Sequence, residues 1–212
     1  MIAKIFRPAC RLRLIRIARN ILHVSNVPEP DSRRLCREDG RPTRTQPRVR
    51  IELRKTSNRQ HTLQISRTDG TRESVELVTR EALFHDLLHF AVESALPTQR
   101  GFWGTLAGGK TMQDLNDRTG EAVSENSAML YRVEGIVGVM TGVVELPAGD
   151  AFAKLLWLCE SQRRDPPDWC TDSFVADVIE QMRRLQGRWK ATPFGEAMEI
   201  DWVDTAVEHR HA

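Results

Sequence analysis

Three stretches of the chain alternate apolar and polar residues, and only short polar links separate them. VRIELRKT places Val49, Ile51 and Leu53 on one side and Arg50, Glu52 and Arg54 on the other. HTLQISRT repeats the period with Leu63 and Ile65, and RESVELV repeats it with Val75 and Leu77. A period of two marks a strand with one buried face. Asp69-Gly70, between the second and third stretches, is a two-residue hairpin sequence. These residues predict a three-stranded antiparallel meander over roughly 48–55, 61–67 and 72–78.

From residue 79 the period changes. TREALFHDLLHFAVESAL carries a broad apolar arc of Leu83, Phe84, Leu87, Leu88, Phe90, Ala91 and Val92, with Thr79 as the expected cap and Pro97 as the stop. GFWGTLAGG follows as a short helix or tight turn. A long helix is expected over roughly 119–146, from the spacing of Met129, Val133, Ile136, Met140 and Val143. Gly135, Gly138 and Gly142 would weaken it, which predicts that another backbone packs close there. Further helices are expected over 149–164 and 172–189, the first stopped by Pro166-Pro167. ATPFGEAMEIDW reads as a turn and a short strand, with Met198, Ile200 and Trp202 on one face. The fold class is therefore α+β: the meander, about four main helices, and a short C-terminal strand returning to the sheet. Trp103, Trp157, Trp189 and Trp202 are expected in the core and Trp169 in a loop.

Charge divides the chain. Residues 1–47 hold 11 Lys/Arg against 4 Asp/Glu, so the remainder is net acidic although the whole carries +2. With four prolines in residues 26–47 and few large apolar groups, this segment is expected to be a basic, disordered leader. A start codon mis-assigned upstream of one near Val49, a targeting peptide and an interfacial helix are its competing origins. The folded part is expected as a single domain over 48–204, with 205–212 a frayed tail. No run approaches the length of a membrane span. Without a basic stripe interleaved with aromatics in the body, nucleic acid is not an expected partner. Cys10, Cys36, Cys159 and Cys170 form no C-x-x-C pair, which suits reduced thiols and a cytoplasmic location.

Two motifs bear on chemistry. GTLAGGKT, residues 104–111, fits the phosphate-binding pattern G-x-x-x-x-G-K-[ST]. A working P-loop needs a buried strand delivering the chain to the phosphates and a helix starting at the lysine. Here a helical pattern and a proline precede it, and strands cluster ahead of helices instead of alternating with them. Nucleotide binding at 104–111 is therefore the least favoured reading.

The other motif is HDLLH. His85 and His89, at i and i+4, share a helix face about 6 Å apart along the axis. That is the spacing by which H-E-x-x-H chelates zinc. Asp86 takes the place of the general-base glutamate and is one methylene shorter. Glu93, one turn further on, cannot easily reach an ion shared by both histidines. A third ligand must come from elsewhere: His61, Glu121, Glu125 or Glu134, with Glu134 preferred. Two functional readings follow. The first is a soluble accessory or binding protein. It would use the His85/Asp86/His89/Glu93 face and the turn at 101–109 to meet a protein or small-molecule partner. The alternative is a divalent-metal-dependent hydrolase or lyase, with zinc or a similar ion held by His85, His89 and Glu134. Asp86 would then be the catalytic group, as an orienter or weak base.

HDLLH is similar, over its five residues, to the H-D-x-x-H zinc motif of a family of ubiquinone-biosynthesis proteins. That family places a glutamate twelve residues past the second histidine, where this chain has Gly101. A wider resemblance rests on TREALFHDLLHFAVES, GFWGTLAGG and GRWKATPFGEAMEIDW. Across roughly residues 49–202 the chain resembles a group of small uncharacterised bacterial proteins. That resemblance implies a bacterial origin and no particular activity.

Overall fold

The computed structural model describes residues 48–96, 101–116 and 121–203. The leader at 1–47 and the tail at 205–212 lie outside the described residues. Strands β1 (Arg48–Lys55), β2 (Gln60–Arg67) and β3 (Arg72–Val78) come first, and β4 (Ala197–Val203) comes last. The sheet order is β3-β2-β1-β4 with every neighbour antiparallel. The closing strand thus returns to pair with the first, Ile51 opposite Ile200 and Leu53 opposite Met198. The turn between β2 and β3 works as its sequence requires. Gly70 takes a left-handed φ of 88°, and the Asp69 carboxylate accepts hydrogen bonds from the Thr71 amide and hydroxyl.

Among the described residues, six α-helices follow β3: α1 (Thr79–Ser94), α2 (Phe102–Ala107), α3 (Met112–Leu115), α4 (Ser127–Met140), α5 (Ala148–Ser161) and α6 (Asp172–Ala191). Four are long, and two are short turns of helix around the glycine-rich segment. Helix α1 packs on β2 and β3 on one side and on α4 and α6 on the other, so it runs through the middle of the molecule. Short α2 covers β1 and β4. The alternate residues Val49, Ile51, Leu53, Leu63, Ile65, Val75 and Leu77 form the buried floor of the sheet. Phe90 of α1 meets Trp103 and Trp202 edge-on above it.

The structure departs from several expectations. Thr79 does not cap α1. Val78 holds that position without a side-chain bond, and the Thr79 hydroxyl instead lies 3.2 Å from Nδ1 of His61. The helix expected over 119–146 is shorter. A 3-10 segment at Glu121–Asn126, with non-helical angles at Val123, precedes α4. Past Met140 the chain tightens into turns, with Gly142 and Val143 donating three residues back. The glycines of this region are not packed against another backbone. Gly138 faces open space, while Gly135 and Gly142 have the side chains of Arg164 and Leu158 nearest. Trp157 is 55% exposed, with Lys154 over its ring at 3.7 Å, so it does not belong to the core. Trp189 is only partly buried.

One buried ion pair ties the helical connection to the sheet. Arg67 and Glu73, on β2 and β3, pair within the core. The Arg67 guanidinium also donates to the carbonyls of Leu106 at 2.9 Å and Lys110 at 2.8 Å. The Glu73 carboxylate accepts from the Met112 amide at 2.8 Å. Removing one partner of a buried pair leaves the other charge uncompensated. Glu73→Ala is therefore expected to lower the unfolding free energy by about 3–5 kcal/mol, read from urea denaturation.

Candidate metal centre

The face of α1 that carries HDLLH is polar in sequence but is not a solvent face. Asp86 and His89 are each 2% exposed and Glu93 is fully buried. Helix α4 lies across this face and α2 covers its C-terminal end. A helical wheel shows which residues share a side; it cannot show that a second helix lies on that side. Of the predicted face, only His85 keeps an appreciable opening, at 24% of its side chain.

His85 and His89 present their rings 4.6 Å apart, tilted by 56°. Glu134 reaches them from α4. One ligand atom each from His85, His89 and Glu134 lies within 4.8 Å of the others. Oε2 of Glu134 is 3.9 Å from Nε2 of His85, and Oε1 is 3.0 Å from Nε2 of His89. The shorter approach is an ion-pair contact that lies off the direction of a ring N–H, so neither Nε2 of His89 nor Oε1 of Glu134 completes a well-directed hydrogen bond. Buried polar atoms that converge without bonding one another suit a shared ion. The three residues form a cluster capable of holding a metal ion.

Glu93 stands behind His89 and does not join the cluster. Its Oε1 lies 3.0 Å from Nδ1 of His89 and accepts from the Phe102 amide at 2.9 Å. Its Oε2 accepts from the Trp103 amide at 2.9 Å. Because this carboxylate accepts from backbone donors on both oxygens, Nδ1 of His89 is the donor, and in the neutral ring the Nε2 lone pair is left for the cluster. A carboxylate behind a histidine ligand fixes its tautomer and strengthens it as a donor. The sequence of the turn follows from the same contact. A Cβ at residue 101 would fall 2.3 Å from Cδ of Glu93, so only glycine fits.

The remaining candidates are distributed as follows. His61 is buried but apart from the cluster, with its ring edge-on to Trp189 at 5.8 Å. Glu125 is exposed on the 3-10 segment. The side chain of Glu121 lies outside the described residues. Asp86 sits beside His85, its Oδ1 3.8 Å from Nδ1, and neither of its oxygens has a hydrogen-bond partner. Glu73, which sequence reasoning passed over, has a structural role, although its place two residues before Val75 puts it on the buried face.

The glycine-rich motif at 104–111 does not form a phosphate cradle. It begins inside α2, and the amides of Thr105, Gly108, Gly109 and Lys110 already donate to protein carbonyls. Thr111 begins a single helical turn, locked to Asp114 by reciprocal hydrogen bonds. Gly109, at φ 96°, only reverses the chain between α2 and α3.

Electrostatics favour a positive guest. Burial alone would lower the pKa of His89, but the carboxylates of Glu134 and Glu93 outweigh it and raise the pKa to about 10. Burial raises Glu134, and the two histidines more than reverse this, leaving it below the usual carboxylate value. In the metal-free protein the raised pKa favours the charged, doubly protonated ring of His89, paired with the Glu134 carboxylate.

Comparison of the chain with protein-family models, curated proteins and solved structures finds no significant match. Function must therefore be argued from the site itself.

A divalent ion must displace the His89 proton, so zinc affinity is expected to rise about tenfold per pH unit around neutrality, measured by competition with a chromophoric chelator. The metal-free protein has the opposite dependence. The stabilisation from charged His89 is complete below its ordinary value of 6.5 and is lost as pH rises through about 10. Urea midpoints of the metal-free protein should fall across that window. Separately, Gly101→Ala is expected to cost about 1–3 kcal/mol of stability, because its methyl must displace the Glu93 carboxylate.

Proposed function

We propose that this protein is a divalent-metal-dependent enzyme of the hydrolase or lyase class, with its ion held by His85, His89 and Glu134. The observation that carries this reading is the convergence of three ligand atoms within 4.8 Å in a buried setting. Two imidazoles and a carboxylate form a donor set that suits zinc and other borderline divalent ions. Three protein ligands leave a coordination position for water or substrate, the arrangement of catalytic rather than structural sites. An ion there would supply Lewis acidity and lower the pKa of water.

The chain's own residues set the conditions for that chemistry. Glu93 holds His89 through Nδ1 and keeps Nε2 toward the cluster. Asp86, nearly fully buried on the Nδ1 side of His85, is placed to orient that ring. Its short reach and burial favour this role over proton abstraction. His85, the most open member, marks the side from which a substrate would approach. Burial of the His85/Asp86/His89/Glu93 face supports the enzyme reading over that of a binding protein, because a docking surface must be accessible. No described helix is long and apolar enough to cross a membrane.

Elemental analysis of protein purified without a histidine tag tests the proposal. About one divalent ion per chain is expected, and it should be lost in the His85→Ala/His89→Ala variant. Absence of metal from the unmodified, folded protein would return the site to a purely structural role.

A further inference from the structure

A second group of unsatisfied buried atoms belongs to His61 of β2 and Asp86 of α1. Nε2 of His61 and both carboxylate oxygens of Asp86 have no hydrogen-bond partner. His61 is fully buried and Asp86 is 2% exposed. Leaving such groups unpaired costs about 1–3 kcal/mol each, more for a charge, so native structures seldom do it.

Helix geometry relates the two. Thr79 and Asp86 are seven residues apart on α1, nearly two full turns, so they share a face about 10.5 Å apart along the axis. His61 projects from β2 against that face. Its Nδ1 lies 3.2 Å from the Thr79 hydroxyl and its ring is edge-on to Trp189, so Nε2 is on the opposite edge of the ring from the Thr79 contact. The Asp86 side chain leans back toward the helix N-terminus, as helical side chains do, and closes part of the remaining distance. The Asp86 carboxylate makes itself felt at His61: its charge opposes the effect of burial, which nonetheless keeps the imidazole below its ordinary pKa.

We infer that His61 is a positioning residue for the metal centre and acts through Asp86. The Thr79 hydroxyl donates to Nδ1 and fixes the tautomer. Nε2–H then donates, through one buried water, to the Asp86 carboxylate. Asp86 in turn holds the Nδ1 edge of His85. Ordered water is the usual partner of buried polar atoms that no protein group satisfies. His85 would thus be braced from the sheet as His89 is braced by Glu93, each ligand having its own carboxylate. This inference rests on the metal reading above.

The test is zinc affinity of the full chain by chelator competition, with unfolding of each metal-free variant as a control. His61→Leu should weaken binding about tenfold, the usual effect of losing an outer partner of a ligand. His61→Gln, which keeps a donor at the end of the side chain, should stay within about threefold of the unmodified protein. In an Asp86→Asn background, His61→Leu should have no further effect, because the two act in series. If His61→Leu fails to fold, Thr79→Val carries the test and should weaken binding about threefold. Additive losses, or unchanged affinity in His61→Leu, would overturn this inference alone. No zinc binding by the unmodified protein would overturn the metal reading and this inference with it.

Discussion

The Glu93 carboxylate is the contact on which the arrangement depends. It is fully buried and is engaged by two backbone amides and one imidazole. The amides belong to the first turn of α2, where unpaired N–H groups favour a negative partner. One side chain therefore supplies the missing acceptors of a helix start and fixes the ring orientation of His89. It also accounts for the bare backbone at residue 101. Without it, the first turn of α2 would lose its polar attachment to α1 and keep only the apolar contacts of Phe102 and Trp103.

The same contact explains how several charges can be buried together. Asp86, His89, Glu93 and Glu134 lie close in a region of low dielectric, where like charges repel strongly. The proton on His89 partly balances the acids. A divalent ion would balance them further, and proton and ion compete for one nitrogen. Charge balance and ligand geometry thus point to the same residues.

Much of the fold was legible in the sequence. The meander was readable because a period of two survives any tertiary context that buries one face. The returning strand was readable from Met198, Ile200 and Trp202. The inward turn of His61 followed from its parity with Leu63 and Ile65. The ends of the long helix were not legible, because the apolar spacing continues through Val143 after the hydrogen bonding has changed. Nor could periodicity show that α4 covers the polar side of α1. Glu134 had no local mark separating it from Glu125; the choice depends on where two helices cross. Trp157 was misplaced because an aromatic residue near an apolar row can still project outward, here with a lysine across its ring. Glu73 was legible by parity, since it alternates in phase with Val75 and Leu77, but a charge on the core face is easily taken for an exception.

The Arg67–Glu73 pair has a consequence for how the molecule comes apart. Its backbone partners at Leu106, Lys110 and Met112 lie in and after α2, beyond the whole of α1, a separation of 39 residues for both the Leu106 and the Met112 contact. The hairpin and this returning segment are thus clasped at both ends of the intervening helix. Local fraying of α1 or α2 would have to open the clasp and expose a buried charge. Amide exchange in this stretch should therefore proceed through cooperative opening of the whole block, with the hairpin, α1 and α2 behaving as a single foldon.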